Sequence, residues 1–435
     1  MGENMKKIAI TIAIMFVMTG LATAGALTDS GHNSTPDTPS TIAAIVHSST
    51  SQNFHKEARD ITARYTPAAL AATVDVATTP DNELHPDMAA AGLTYLGGYS
   101  RSPSIVEKTI LWVTSGDGGE TFIEGGSFNY EGIQDYPTCD HWGGATFYGL
   151  FQSDPGTAIT PLITFEDIGD PGSWAGSGWD WSDDGWYDLS PYDIACSNTG
   201  TDLQFGVAAY VGSTDYAGGE AENAPHIFFT HPEDEGSGWI SWQPAFPGCE
   251  HSAAAVDKGT NMMWSVYDYY NETTGSWNLI FWKRDFLDPL ADDATKLFAE
   301  IPSTFNAQYP SVVASNDNVV FVYQSEEPSS HDILCARSSD GGETWGIIDV
   351  AVSSDDELYP DATLTGNSVI CSFIKNGNLY YTESSDFGAT WTEPVQMNDN
   401  DGTVTSEWRA QEAIPVGTVW ADQQAGNSDI YFNAF

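Results

Sequence analysis

The stretch Ser338–Gly346 reads SSDGGETWG, and two relatives of it occur in the same chain: SGDGGETF begins at Ser115 and SSDFGATW begins at Ser384. The shared pattern is SxDxGxT followed by an aromatic residue. A catalytic or metal-binding loop is seldom built in triplicate, whereas a turn often is. The residue types suit a tight hairpin: Gly supplies positive φ, Ser and Asp bond turn amides, and the aromatic residue packs back between strands.

Working outward from that stretch, IDVAVSSDDELYPDATLTG (348–366) matches VDVATTPDNELHPDMAAAG (74–92) without a gap. Two distant parts of the chain therefore share a unit. Each copy runs from a strand through an acidic turn to a His or Tyr that opens a small-residue strand. With that residue as the register mark, further units start at His85, His141, Tyr192, His251, Tyr309, Tyr359 and Trp408, spaced by 49 to 59 residues. The clearest unit holds four short strands, SVVAS, VVFVYQS, DILCARS and WGIIDVAV, with the SxDxGxT turn between the third and fourth.

Four antiparallel strands per unit, repeated radially, predict an all-β chain folded as a β-propeller. Seven blades are expected, with six as the alternative because the unit at 141–191 is irregular. The last unit offers only three strands and ends in DIYFNAF, while AATVDVA (71–77) has no unit of its own. The economical expectation is that this N-terminal strand pairs onto the last blade and closes the ring, which removes the exposed edges.

The triplicate SxDxGxT pattern resembles the Asp-box (BNR repeat) of the sialidase superfamily and other Asp-box propellers. The resemblance implies that Asp117, Asp340 and Asp386 are structural and lie on the face opposite the usual active site. Sialidases hold a substrate carboxylate with three Arg and pair a Tyr nucleophile with a Glu. Here HPD stands where the family's Arg-Ile-Pro type motif would fall, and Arg409 is the one Arg at a strand start. Arg101 is placed in a loop between second and third strands, and Arg284 and Arg337 follow third strands and point away. One Arg cannot form that clamp, so sialidase activity is not expected.

Residues 1–24 read as an export signal, with Lys6 and Lys7 ahead of the apolar run IAITIAIMFVM and a small-residue exit at Ala24. Residues 25–70 read as a Ser/Thr/Pro-rich linker or pro-segment, and 71–435 as the propeller. No later apolar run is long enough to span a membrane, so a secreted protein is expected. The net charge is -47. Nucleic acid is excluded as a direct partner, because phosphate binding needs a basic footprint. Five Cys (139, 196, 249, 335 and 371) show no zinc-type spacing, and some of them are open to pairing in an exported chain. The oligomeric state is left open.

The register residues His85, His141, Tyr192, His251, Tyr309, Tyr359 and Trp408, with Arg409, are expected to ring one funnel as ligand-binding groups. Acids beside them, Glu83, Asp140, Glu250, Glu357 and Glu407, are the candidates for a catalytic carboxylate pair, with Asp87 and Asp361 close by. Trp142, Trp408 and Tyr359 are candidates for stacking on sugar faces. His85, His141 and His251 are candidates for a transition-metal site, and SSDDE and TPDNE for calcium. The expected function is recognition of an extracellular glycan or glycoprotein. The alternative is a glycoside hydrolase, and the third reading a structural or adhesive surface module.

Overall fold

The computed structural model describes residues 72–104, 107–127, 133–143, 146–154, 159–165, 174–180, 186–189, 193–197, 204–213, 224–230, 239–242, 249–257, 259–260, 262–285, 297–301, 306–326 and 330–435. The expected export signal (1–24), the 25–70 segment and Tyr192 lie outside the described residues. The architecture is all-β, with several four-stranded antiparallel sheets, as in a β-propeller.

Sheet I contains Asn82–Ala91, Thr94–Ser104, Glu107–Ser115 and Ile123–Gly126. Sheet II contains Ile133–Gly143, Thr146–Asp154, Ile159–Phe165 and Trp174–Asp180. Sheet III has five strands: Gln204–Ser213 pairs with both Trp186–Leu189 and Asp193–Ser197, and Ala224–Thr230 and Trp239–Trp242 follow. Sheet IV contains Cys249–Asp257, Met262–Asn271, Ser276–Asp285 and Leu297–Ile301. Sheet V contains Asn306–Ser315, Asn318–Glu326, His331–Ser338 and Gly346–Ala351. Sheet VI contains Glu357–Thr365, Ser368–Lys375, Asn378–Ser384 and Val395–Gln396. Sheet VII joins Gln411–Ile414, Gly417–Asp422 and Asp429–Ala434 to the distant strand Val74–Ala77.

Asn318–Glu326 shows why the sheets stack. Its sequence NVVFVYQSE is almost continuously apolar over its first half and buried along nearly its whole length. Alternate side chains point to opposite faces. Val319, Phe321 and Tyr323 pack with Trp264, Val266 and Phe281 of sheet IV, while Val320 and Val322 pack with Val369, Cys371 and Phe373 of sheet VI. One strand thereby serves two cores, and each of these side chains contributes about 1.5 to 3 kcal/mol by leaving water. The same logic joins sheet VI to VII through Ile370, Ile374 and Trp420, and VII to I through Val419, Phe432, Tyr95 and Leu111. The first strand of each of these sheets touches that of the next, running through Asp193–Ser197 in sheet III, and Gln411–Ile414 also touches Asn82–Ala91.

Val74–Ala77 pairs antiparallel with the C-terminal strand, Val74 opposite Phe432 and Ala77 opposite Ile430. Asn427 Nδ2 adds bonds of 2.7 Å to the carbonyls of Thr79 and Asp81.

The three SxDxGxT turns connect the third and fourth strands of sheets I, V and VI and have the same hydrogen-bond plan. Ser338 Oγ accepts from the Gly342 amide at 2.9 Å, and Asp340 accepts from both the amide and the hydroxyl of Thr344. Ser115 with Asp117, and Ser384 with Asp386, repeat the pattern. Strand alternation puts these turns at the end opposite His85: Ser115 lies beside Tyr95, whereas Leu84 lies beside Ser100. Trp345 stacks on Phe321 with centroids 4.8 Å apart, so the aromatic residue does fold back onto strands.

Three expectations need correction. All five Cys are buried free thiols, with no disulfide among them. Arg101 lies within the second strand of sheet I, not in a loop, and Arg284 and Arg337 lie within third strands. His141 is not the register residue of sheet II. It sits near the far end of Ile133–Gly143, opposite Phe147, whereas Tyr136 occupies the position equivalent to His85.

Candidate functional site: an aromatic funnel at the inner-strand ends

The first strands of sheets I, II, IV, V and VI share an irregularity near their starts. Pairing skips between Leu84 and Asp87, Asp135 and Thr138, Cys249 and Ser252, Gln308 and Ser311, and Leu358 and Asp361. These are β-bulges, which re-aim the side chains they carry. His85, Tyr136, Tyr309 and Tyr359 adopt φ of 50°, 50°, 53° and 51° there, and Arg409 adopts 59° ahead of sheet VII. A non-Gly residue at such φ costs about 1 to 3 kcal/mol, so its recurrence marks a position the surrounding structure enforces. Pro follows four of the five, at 86, 137, 310 and 360. With no N–H to donate, Pro leaves no orphan donor where the ladder is interrupted.

The re-aimed rings meet. His85 stacks on Tyr136 at 4.1 Å between centroids, and His251 lies 4.3 Å from both Tyr309 and Trp408. Tyr309 makes an edge contact with Tyr359 at 4.9 Å, and Trp408 also lies 6.3 Å from Tyr309 and 6.4 Å from Tyr136. Trp408 comes from the turn ahead of Gln411–Ile414 rather than from the strand start, and it is the hub of the cluster. Tyr136, His251, Tyr309, Tyr359 and Trp408 are all partly exposed, so the cluster has an accessible side.

Two buried carboxylates hold the imidazoles. Asp135 Oδ1 lies 2.6 Å from His85 Nδ1 and also accepts from Ser100 Oγ and the Tyr136 amide, while Lys108 Nζ bonds its second oxygen. Burial opposes ionisation of Asp135, but His85 and Lys108 together hold its carboxyl well below the usual range. Asp268 Oδ2 lies 2.5 Å from His251 Nδ1, and the carboxylate also accepts from the amides of Glu250, His251 and Tyr309. Each imidazole is thus fixed through Nδ1, which leaves Nε2 as the nitrogen open to other chemistry.

Below the rings, carboxylates join neighbouring sheets. Asp87 accepts from the Cys139 amide at 2.9 Å, Asp140 from Cys196 at 2.7 Å, Asp193 from Ala254 at 2.6 Å and Asp361 from Ala413 at 2.6 Å. A first strand has one edge without a strand partner, and these side chains supply acceptors for its amides. Arg409 Nη1 lies 3.9 Å from Asp87, and its guanidinium stands 5.2 Å from the Trp408 ring centre. Burial pushes Asp87 up to about 7 against the opposing pull of Arg409, and Asp361 up to about 6. Burial, with Asp361, Asp87 and Asp193 adding to it, raises Glu412 well above the carboxylate range.

The five candidate catalytic carboxylates separate into two groups. Glu83 is fully buried, bonded by Thr79 Oγ1 and by Arg101 Nε at 3.1 Å. Glu357 repeats that arrangement with Ser353 at 2.6 Å and Lys375 at 2.8 Å, and Asp140 is engaged in its latch. All three are engaged by donors of the chain itself. Glu250 and Glu407 remain: Glu250 precedes His251 in the chain, and Glu407 precedes Trp408 and lies 3.6 Å from His85 Nε2. His141 does not join the cluster but leans on Phe147, the side chain of Trp142 is outside the described residues, and no group of three His, Cys, Asp or Glu among the described residues is placed to hold a metal.

Sequence reading missed Tyr136, Asp135, Asp268 and Lys108. Tyr136 had a usable signal, since it precedes Pro as His85, Tyr309 and Tyr359 do, and it follows His85 at a spacing of 51 residues. Asp268 had none, because it comes from the second strand of sheet IV, where no repeat marked it.

No known protein family matches the chain, and no curated protein matches it. Among solved structures it is similar to a protein of unknown function from Dyadobacter fermentans, at 11% identity and a TM-score of 0.49, covering 84% of this chain and 99% of that one. It is similar to an α-L-arabinofuranosidase of Fusarium graminearum at 15% identity and a TM-score of 0.44, covering 70% and 92%. It is also similar to Trypanosoma rangeli sialidase at 11% identity and a TM-score of 0.41, covering 83% and 57%. No helix among the described residues is long and apolar enough to cross a membrane.

Proposed function

We propose that the chain is an exported, seven-bladed Asp-box propeller, closed by Val74–Ala77, whose funnel recognises an extracellular carbohydrate. The seven sheets, the succession of contacts between first strands and the pairing of Val74–Ala77 with Asp429–Ala434 support the ring. The observation that carries the function is the convergence of His85, Tyr136, His251, Tyr309 and Tyr359 from five different sheets, and of Trp408 from the turn ahead of sheet VII, on one partly exposed cluster. Aromatic faces with polar groups at their edges suit sugar rings, which present C–H faces and hydroxyl rims. A glycan array tests this: Trp408→Ala or Tyr359→Ala should abolish binding that the parent chain shows, and a parent chain that binds no glycan refutes it.

A second reading, glycoside hydrolysis, is favoured by one observation. Glu250 and Glu407 are the candidate carboxylates left beside the rings without a Lys or Arg partner among the described residues. Such a pair would act as acid and base or as acid and nucleophile. Sugar release that disappears in Glu250→Gln and in Glu407→Gln would establish it. Sialosides should not be turned over, since Arg409 alone cannot clamp a substrate carboxylate.

A further inference from the structure

The charges around the rings do not balance. Lys108 is committed to Asp135, Arg409 faces Asp87 with Asp193 and Glu412 also acting on it, and Arg101 is committed to Glu83 and Glu124. His85 and His251 are held by Asp135 and Asp268. Glu407 then has only His85 Nε2, at 3.6 Å, beside it, and Glu250, next to His251 in the chain, has no Lys or Arg partner among the described residues. The Glu407 side chain is about two-fifths exposed, and its inward oxygen Oε1 has no hydrogen-bond donor, its nearest cationic neighbour being His85 Nε2 at 3.6 Å. A partly exposed carboxylate with one oxygen free of donors at the edge of an aromatic cluster is able to receive a donor from a ligand. The rings also already receive cations: Lys108 stands 5.9 Å from the Tyr136 ring centre and Arg409 5.2 Å from that of Trp408.

We infer that the funnel takes a ligand group carrying a positive charge, an amine or quaternary ammonium, against Tyr309, Tyr359 and Trp408 with Glu250 and Glu407 as counter-ions. Aromatic faces attract cations through the ring quadrupole, and ammonium recognition by grouped aromatics uses that attraction. A primary amine also supplies the donor that Glu407 Oε1 lacks. Combined with the carbohydrate reading, on which this part rests, the sugar class is one with a free amine rather than an acetylated or acidic sugar. The net charge of -47 would steer such a ligand inward and repel uronates and sialic acids.

The test is calorimetric titration of the full chain at pH 6 with three probes: a glucosamine tetramer, its fully N-acetylated counterpart and tetramethylammonium. The expected result is a preference of about ten-fold or more for the free-amine tetramer, competition by tetramethylammonium, and loss of both in Glu407→Gln and Glu250→Gln. Each of these variants changes the net charge by one, so non-specific attraction of a polycation survives the swap. Binding that is unchanged in both therefore overturns the inference. Tyr359→Leu, which removes a ring face without altering charge, should weaken tetramethylammonium as well, and circular dichroism confirms that each variant is folded. Equal affinity for the two tetramers overturns the ammonium inference while leaving the carbohydrate reading intact. Tetramethylammonium binding that is sensitive to the Glu variants, with neither tetramer bound, upholds the ammonium site and overturns the carbohydrate reading. Failure of all three probes to bind overturns the inference.

Discussion

Asp268 Oδ2 lies 2.5 Å from His251 Nδ1, and the same carboxylate receives the amides of residues on two different sheets, His251 of sheet IV and Tyr309 of sheet V. One buried side chain therefore sets both an imidazole and the aromatic ring tilted against it. Asp268→Asn keeps the shape but places an N–H₂ among donors. It should cost about 2 to 4 kcal/mol in chemical denaturation and weaken ligand binding together. A stability loss that leaves affinity untouched would show that His251 and Tyr309 do not face the ligand.

The SxDxGxT turns should behave differently. Asp340 bonds Ser338 and Thr344 in an exposed turn at the end of the sheets away from His85. Asp340→Ala should lower the melting temperature without altering affinity. A selective loss of binding would give that turn a role in recognition.

Closure can be tested by truncation. Removal of residues up to 65 should change little, whereas removal through Ala77 strips the partner from Asp429–Ala434 and takes buried Ala77 from the core shared with Ile430 and Phe432. The freed edge should lower the melting temperature and promote association. Equal melting temperatures for the two truncations would contradict the closed ring.

Stability should peak in mildly acidic solution. Glu83 and Asp87 are pushed up to about 7 and Asp361 to about 6, in each case chiefly by burial. The folded state therefore holds these protons more tightly than the unfolded chain. Their contribution is full below the ordinary carboxylate range and is lost as pH rises through about 6 to 7. Asp117 and Asp340 work in the opposite sense. Hydroxyl and amide donors pull both down to about 2, so their contribution is present above the ordinary range and lost as pH falls toward 2. The melting temperature should be highest near about pH 5 and fall steadily to pH 8. A higher value at pH 8 than at pH 5 would reverse the sign argued here.

The repeat was legible because propeller strands carry period-two patterns and turn chemistry in sequence, and the match of 74–92 to 348–366 put His85 and Tyr359 in one register. The ring cluster was legible to the same extent: the register residues His85, His251, Tyr309, Tyr359 and Trp408 lie in one network of ring contacts. Sheet II was misread because Asp140–His141 imitates the acid-plus-His look of the other marks, while the backbone feature that defines the position, a bulge with positive φ, leaves only an aromatic-Pro dipeptide as its trace. The roles of the carboxylates were not legible at all. Glu83 and Glu407 both stand beside a register residue, and only the fold shows that one meets Arg101 and the other meets the ring cluster.

That difference yields the last prediction. Glu83 is buried and bonded at once by Thr79 and Arg101, and Arg101 in turn reaches Glu124 at 2.6 Å and Tyr99 at 2.8 Å. Burial, with Asp429 adding to it, pushes the Glu83 carboxyl upward, and Thr79 and the Arg101 cation oppose the rise. Arg101→Leu should therefore destabilise the chain by about 3 kcal/mol above about pH 7, where Glu83 is ionised and would lose its partner, and by less at pH 5, where Glu83 holds a proton. Glu83→Gln in the same background should recover part of that loss, giving a positive coupling energy in a double-mutant cycle. Neither change should affect ligand affinity measured well below the melting temperature, because Glu83 points into the seam between sheets I and VII, where its amide bonds the Ser428 carbonyl at 2.6 Å. Lys375→Leu should reproduce the destabilisation at Glu357, the equivalent position of sheet VI. If Glu83→Gln alone abolished binding or turnover while the fold remained intact, Glu83 would return to the list of working carboxylates and the division between structural and functional acids would have to be redrawn.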